Sequence, residues 1–190
     1  IAKGSGMISP QFATMLAFVF TDFPVPVPSF RRSFNRLVRE SFERITVDGE
    51  CSTNDTVLLF SPRGSDPAAP VAEFTDRLRL VMNQLSMMVV RDGEGATRVI
   101  HIIVQNARSQ DTAEQIARRI ANSPLCKTAF FGCDPNWGRI IAAAGDAGVP
   151  VEQGKIEISL QGRVLARNGV EVPFDETEMK EIMDSPEVEV

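Results

Sequence analysis

An α/β fold, a layered mixed sheet with covering helices, is predicted by three features of this sequence. Short apolar runs of strand length, Met15 to Phe20, Val57 to Phe60 and Val99 to Val104, recur along the chain. Between them lie longer stretches whose apolar residues return every three or four positions, as on one face of a helix. Toward the end, Lys155 to Leu160 and Gly162 to Ala166 flank Gln161-Gly162 as the arms of a hairpin would. Strands interleaved with helices argue layers, and a hairpin makes the sheet mixed; strict βαβ winding is not required.

In chain order, Lys3, Gly4, Gly6 and Ser9-Pro10 form a loop feeding the buried strand that opens at Met15. Pro24-Val25-Pro26-Val27-Pro28 cannot be helical and donates few backbone hydrogen bonds, so it is an extended connector. Ser29 then caps a helix with Phe30, Phe34, Leu37, Val38, Phe42 and Ile45 on its inner face. Thr46 to Asp48 reads as a short strand, Gly49 as a turn, and Cys51 to Thr56 as a hydroxyl-rich loop entering the next strand. Pro62 to Pro70 is a surface loop.

From Val71 to about Val90 the pattern is helical, with Phe74, Leu78, Val81, Leu85 and Met88 inward, and Asp92 to Thr97 ends it. Ser109 to Ala121 is a helix whose Asp111 and Glu114 near the start and Arg118 and Arg119 near the end match the macrodipole. Ser123-Pro124-Leu125 breaks it. Asp134 before Pro135 has the signature of an N-cap, with a helix running to about Ala144. Pro173 to Met183 is an acidic helix and Val188 to Val190 a strand.

With 190 residues, 43% of them hydrophobic, the chain is one large domain or a piece of a bigger protein, with ample material for a core. A net charge of −5 gives no electrostatic footprint for nucleic acid. Arg31, Arg32, Arg36 and Arg39 cluster, but Glu40 and Glu43 among them mark the solvated face of a helix. No apolar run reaches the roughly 18 residues a membrane span needs, and the start carries no signal-peptide pattern. Cys51, Cys126 and Cys133 form no CxxC pair and leave an odd count, which fits a reducing, cytoplasmic setting. The single histidine, His101, sits on a strand without a ligand cluster, so no metal site is expected.

The residues with chemical promise lie in loops. A hydroxyl residue behind a small one, at the mouth of a buried strand, suits a chain that cuts itself between Ala13 and Thr14 and uses the new amino terminus. Threonine is a weak nucleophile until a base sits beside it, and a freed α-amine on the same residue can be that base. Its ordinary pKa of about 7.7–8.0 leaves a usable neutral fraction near pH 7. Taken alone, however, Ala13-Thr14 is also simply a β-branched strand start. Asp92-Gly93-Glu94-Gly95 exposes a carboxylate between two glycines, where Glu94 could hold a substrate ammonium or move a proton; a glycine turn ending a helix explains the same residues. Lys3 could pair with a substrate carboxylate or be a plain surface lysine. Lys3-Gly4-Ser5-Gly6 lacks the spacing of a nucleotide-binding loop. Asp134 to Arg139 reads as structural, with Trp137 packing and Arg139 making hydrogen bonds.

Four blocks, KGSGMISPQFATMLAF, ITVDGECSTNDTVLL, DGEGATR and ANSPLCKTAFFGCDPNWGRI, in this order and spacing, closely resemble the bifunctional ornithine acetyltransferase / glutamate N-acetyltransferase family of arginine biosynthesis. The resemblance runs from Ile1 to about Leu160. It implies an ornithine acetyltransferase-like (Ntn-hydrolase-like) fold. It also implies cleavage between Ala13 and Thr14, so that residues 1–13 end an α chain and residues 14–190 form a β-chain domain that stops short at its C-terminus. By the same resemblance Thr14 is the nucleophile and binds substrate, with Lys3 and Glu94 as further substrate contacts. The activity implied moves an acetyl group from N-acetylornithine to glutamate without a cofactor, acetyl-CoA being a further co-substrate in many members. The implied partners are an α chain whose Thr-Gly pair supplies the oxyanion hole and an α2β2 heterotetramer. Two other readings stay beside it: an amidase or aminopeptidase on the same self-processing scaffold, and an inert structural fragment needing a partner chain.

Overall fold

The computed structural model describes residues 1–9, 15–50, 55–64 and 70–190. They fall into two compact units, Ile1–Ala96 and Thr97–Val190. In the first, β1 (Ala2–Lys3), β2 (Leu16–Phe20) and β3 (Thr56–Phe60) form a mixed sheet, with β1 antiparallel to β2 and β3 parallel to it. Helices α1 (Val27–Glu40) and α2 (Val71–Arg91) cover one face of the sheet. Alternation along β2 decides which face: Ala17 and Val19 point into a core with Phe30, Leu37, Leu78 and Met82, while Leu16 and Phe20 point away. Phe23 and Phe74 stack within the same core at 4.3 Å between ring centroids.

Three expectations for this unit are corrected. The first helix begins at Val27, with Pro26 at the N-cap. Pro28 fits the first turn because its missing N–H would have had no partner there, and Ser29 donates its hydroxyl to the Pro26 carbonyl instead of capping. The helix stops at Glu40, and Phe42–Arg44 follow as a 3₁₀ turn. Thr46 to Asp48 is no strand; it is a loop in which Val47 N–H and Thr46 Oγ1 both donate to the Ile8 carbonyl. The inward stripe of α2 is rotated by about one residue: Thr75, Leu78, Met82, Ser86 and Val89 are buried, whereas Val81 and Met88 are exposed. Thr75 and Ser86 satisfy their hydroxyls on Val71 and Asn83 carbonyls of their own helix, so small hydroxyl residues fill positions that hydropathy alone gives to the outside.

The second unit contains β4 (Val99–His101), α3 (Gln110–Ala121), α4 (Pro124–Phe131), α5 (Trp137–Gly145), β5 (Ile158–Leu160), β6 (Arg163–Arg167), β7 (Val170–Glu171), α6 (Glu176–Met183) and β8 (Glu187–Glu189). β4 and β8 pair in parallel, and β5-β6-β7 form an antiparallel meander. The expected hairpin turns at Gln161-Gly162, both with positive φ (50° and 76°), the backbone that a two-residue turn between twisted strands requires. Ser109 caps α3 by accepting from Thr112 N–H. Ser123-Pro124 ends that helix and also opens α4, since the Ser123 hydroxyl accepts from Cys126 N–H. The cap of α5 is Asn136 rather than Asp134: Cys133 turns into the left-handed region, Asn136 accepts from Arg139 N–H, and Asp134 accepts from the Asn136 amide. Among the described residues no helix is long and apolar enough to cross a membrane.

Candidate active site

In the first unit the segment after β1, residues 46–48 and the turn after α2 meet one another. Antiparallel pairing of β1 with β2 puts Lys3 opposite Leu16, two residues beyond Thr14 in sequence. From Lys3 the chain folds back tightly: a Cβ on Gly4 would stand 3.5 Å from Met15, and one on Gly6 only 3.0 Å from Glu94 Oε2. Glu94 N–H donates to the Ser5 carbonyl at 2.7 Å, so the glycine-flanked carboxylate and the lysine loop are joined through backbone. Gly93 sits where α2 ends, and a side chain there would press on Val47 at 3.0 Å. Lys3 and Glu94 are both exposed, and neither forms an ion pair among the described residues.

Two aspartates hold this arrangement. Asp48 accepts from Met7 N–H at 2.6 Å and from Ile8 N–H at 3.0 Å. Met7 has φ +54°, and the consecutive amides of such a turn converge on one anion, so the carboxylate holds the chain in a conformation that non-glycine residues seldom adopt. Asp55 accepts from Met15 N–H at 2.7 Å. Burial pushes the Asp55 carboxyl above its ordinary range, and the Met15 amide partly offsets that. Ala13 and Thr14 themselves lie outside the described residues. The structure therefore ties Glu94 to the segment that follows Lys3 and pairs Lys3 across from the first residue of β2. Sequence reasoning passed over Asp48 and Asp55, although a carboxylate at the mouth of an apolar strand signals a bond to something nearby.

The second unit presents different chemistry. A cavity of about 290 Å³ is lined by Ile116, Ile120, Ile140 and Ile156, with Arg108 and Lys155 both paired to Glu152 at its rim. It contains none of the candidate residues. Trp137 donates to Glu171, and Arg139 ties α5 to α4 through the Leu125 carbonyl and the Thr128 hydroxyl, which are structural duties. Among the described residues no three His, Cys, Asp or Glu side chains are grouped to hold a metal.

This geometry accompanies clear similarity to known proteins. The chain is 44% identical over 190 residues to the arginine biosynthesis bifunctional protein ArgJ of Thermus thermophilus, covering all of this chain and 49% of that protein. It is 40% identical over 203 residues to the protein of the same name from Bradyrhizobium diazoefficiens, again 100% of this chain and 49% of the relative. The chain thus spans about half the length of the curated relatives it matches. The crystal structure of the arginine biosynthesis bifunctional protein ArgJ from Bacillus halodurans superposes with a TM-score of 0.84 at 34% identity, over 93% of this chain and 87% of that one. The ArgJ family model matches residues 1–190, and the chain belongs to the ArgJ family.

Proposed function

We propose that this chain carries the nucleophile of an acetyltransferase that moves an acetyl group from N-acetylornithine to glutamate in arginine biosynthesis, after self-cleavage between Ala13 and Thr14. The observation that supports this reading is the backbone bond tying Glu94 to the segment after Lys3, with Lys3 paired across from the start of β2, in a chain of the ArgJ family. In maturation Thr14 Oγ attacks the Ala13 carbonyl, the peptide C–N bond breaks, and the acyl group passes from nitrogen to oxygen. Water then hydrolyses the ester, leaving an Ala13 carboxylate and a free Thr14 amine. Residues 1–13 end the α chain and residues 14–190 belong to the β chain; the upstream α segment supplies the oxyanion hole, and the assembly is an α2β2 heterotetramer.

In turnover the Thr14 amine accepts the hydroxyl proton while Oγ attacks the acetyl carbonyl of N-acetylornithine. Collapse of the tetrahedral adduct breaks the amide bond, and ornithine leaves with that proton on its α-amine. The amine of glutamate then attacks the acetyl-threonine ester and regenerates the hydroxyl. Lys3 binds a substrate carboxylate and Glu94 a substrate ammonium. Acetyl-CoA enters the same first step with its thiol as leaving group.

The test is to incubate the full-length protein with N-acetylornithine, acceptor withheld, and map the peptide beginning at Thr14 by mass spectrometry. An acetyl adduct on that peptide, discharged by glutamate and absent in Thr14→Ala, is expected. Acetyl transfer by Thr14→Ala would remove this reading, and discharge to water without transfer to glutamate would favour an amidase.

A further inference from the structure

Asp48 and Asp55 both precede β3 in the chain, and they bond to residues on opposite sides of the Ala13–Thr14 junction. Upstream, Asp48 fixes the Met7 and Ile8 amides while Val47 N–H and Thr46 Oγ1 fix the Ile8 carbonyl. Downstream, the parallel register Leu16↔Thr56 brings Asp55 opposite Met15. There Asp55 takes the Met15 N–H at 2.7 Å and Thr56 N–H donates to the Met15 carbonyl at 3.0 Å, so both polar groups of the residue after Thr14 are pinned. Met15 itself is buried. The peptide unit that carries the Met15 N–H also carries the Thr14 carbonyl and is planar, so a bond that orients one orients the other.

From this geometry we infer that Asp55 is a positioning residue for Thr14, fixing the Met15 amide through which Thr14 joins β2, with Asp48 securing the chain upstream of the same junction. The inference rests on the reading of Thr14 as nucleophile. Self-cleavage needs the hydroxyl aligned with a carbonyl one residue away, and turnover needs hydroxyl and amine aligned with each other. Asp55 fixes the Met15 amide to which Thr14 is bonded, so the residue that carries both groups is tethered at its carboxyl side. Small misplacements of reacting groups cost up to about 10²-fold in rate.

The experiment uses the full-length protein and compares wild type, Asp55→Ala, Asp55→Asn and Thr14→Ala. Cleavage is followed by intact mass, and kcat and KM for N-acetylornithine are measured per matured site. Asp55→Ala is expected to slow cleavage and lower kcat by about 10²-fold with KM unchanged. Asp55→Asn keeps an acceptor oxygen for the Met15 amide and is expected to recover both rates to within about tenfold of wild type, a rescue that general destabilisation would not give. Asp55→Ala maturing and turning over within about threefold of wild type, while Thr14→Ala is inert, overturns the inference and leaves the function intact. So does a loss confined to KM, or a folded Asp55→Asn no faster than Asp55→Ala. Activity in Thr14→Ala instead removes the functional reading itself. Should Asp55→Ala fail to fold, Asp55→Gln decides: its acceptor is displaced by one methylene, and a folded protein with lowered kcat at constant KM supports the inference, whereas unchanged kcat overturns it.

Discussion

The second unit closes its apolar residues into one core, with Leu160, Leu165, Ala166, Met183 and Val188 fully buried on four of its elements. The first unit buries one face of its sheet under α1 and α2 but leaves Leu16, Phe20, Leu58 and Phe60 exposed on the other, where Phe20 and Phe60 stack at 4.8 Å. The loops of the candidate site belong to this less enclosed unit, where amide-to-carboxylate bonds at Asp48 and Asp55 add to a small cluster of Ile8, Ile45 and Val89. Even the polar element of the second unit braces its core: Arg98 donates to the Met183 carbonyl at the end of α6 and to Cys133 Sγ. One unit is held chiefly by apolar burial, while the other combines half a core with polar clamps aimed at the strand mouth. Order at the mouth of β2 can thus come from a few directional bonds as well as from apolar burial.

Truncation of the closed core should have the largest effect. Leu165→Ala is expected to lower stability by about 2–5 kcal/mol, since Leu165 is 0% exposed and its neighbours can collapse only partly. Urea denaturation reads this as a lower midpoint, and a loss below about 1 kcal/mol would mean that the core repacks freely. Phe20→Ser should cost less, roughly 0.5–1.5 kcal/mol for the lost ring pair, because Phe20 is 70% exposed. A loss as large as that of Leu165→Ala would break the comparison by showing this sheet face to be covered in the intact protein.

The smallest effect should appear as opposite slopes with pH. Burial raises Asp55 above its ordinary 3.8, so the native state holds that proton more readily than the unfolded state. Its contribution is therefore most favourable below 3.8 and declines as pH rises through the window above it. Lys155 foremost, and then Arg108, hold Glu152 below its ordinary 4.5, so its contribution is present above that value and lost as pH falls below it. Midpoints measured between about pH 3 and 6 should show Asp55→Asn removing a falling slope and Glu152→Gln a rising one. Slope changes of the same sign in both variants would contradict the assignment.

Much of the fold was legible because it rests on local rules. Apolar runs located β2, β3 and β4, Ser109 announced α3, and Gln161-Gly162 marked the hairpin. The α2 stripe was misread because Thr75 and Ser86, polar by composition, hide their hydroxyls on their own helix. Pro135 pointed to a helix start, but the cap fell to Asn136 because the turn at Cys133 placed a different side chain over the free amides. For the site, Lys3, Thr14 and Glu94 were named from their motifs, whereas Asp48 and Asp55 carried no motif of their own.

The sequence by itself determined most of the elements and the family, since these depend on residue type and on spacing within a few positions. Tertiary structure alone decided that Glu94 lies against Gly6, that Lys3 stands across from Leu16, and that Asp48 and Asp55 grip the chain on either side of Thr14. Hydrogen bonds act over about 3 Å, and whether residues some forty positions apart come within that reach depends on strand register, which no local pattern encodes.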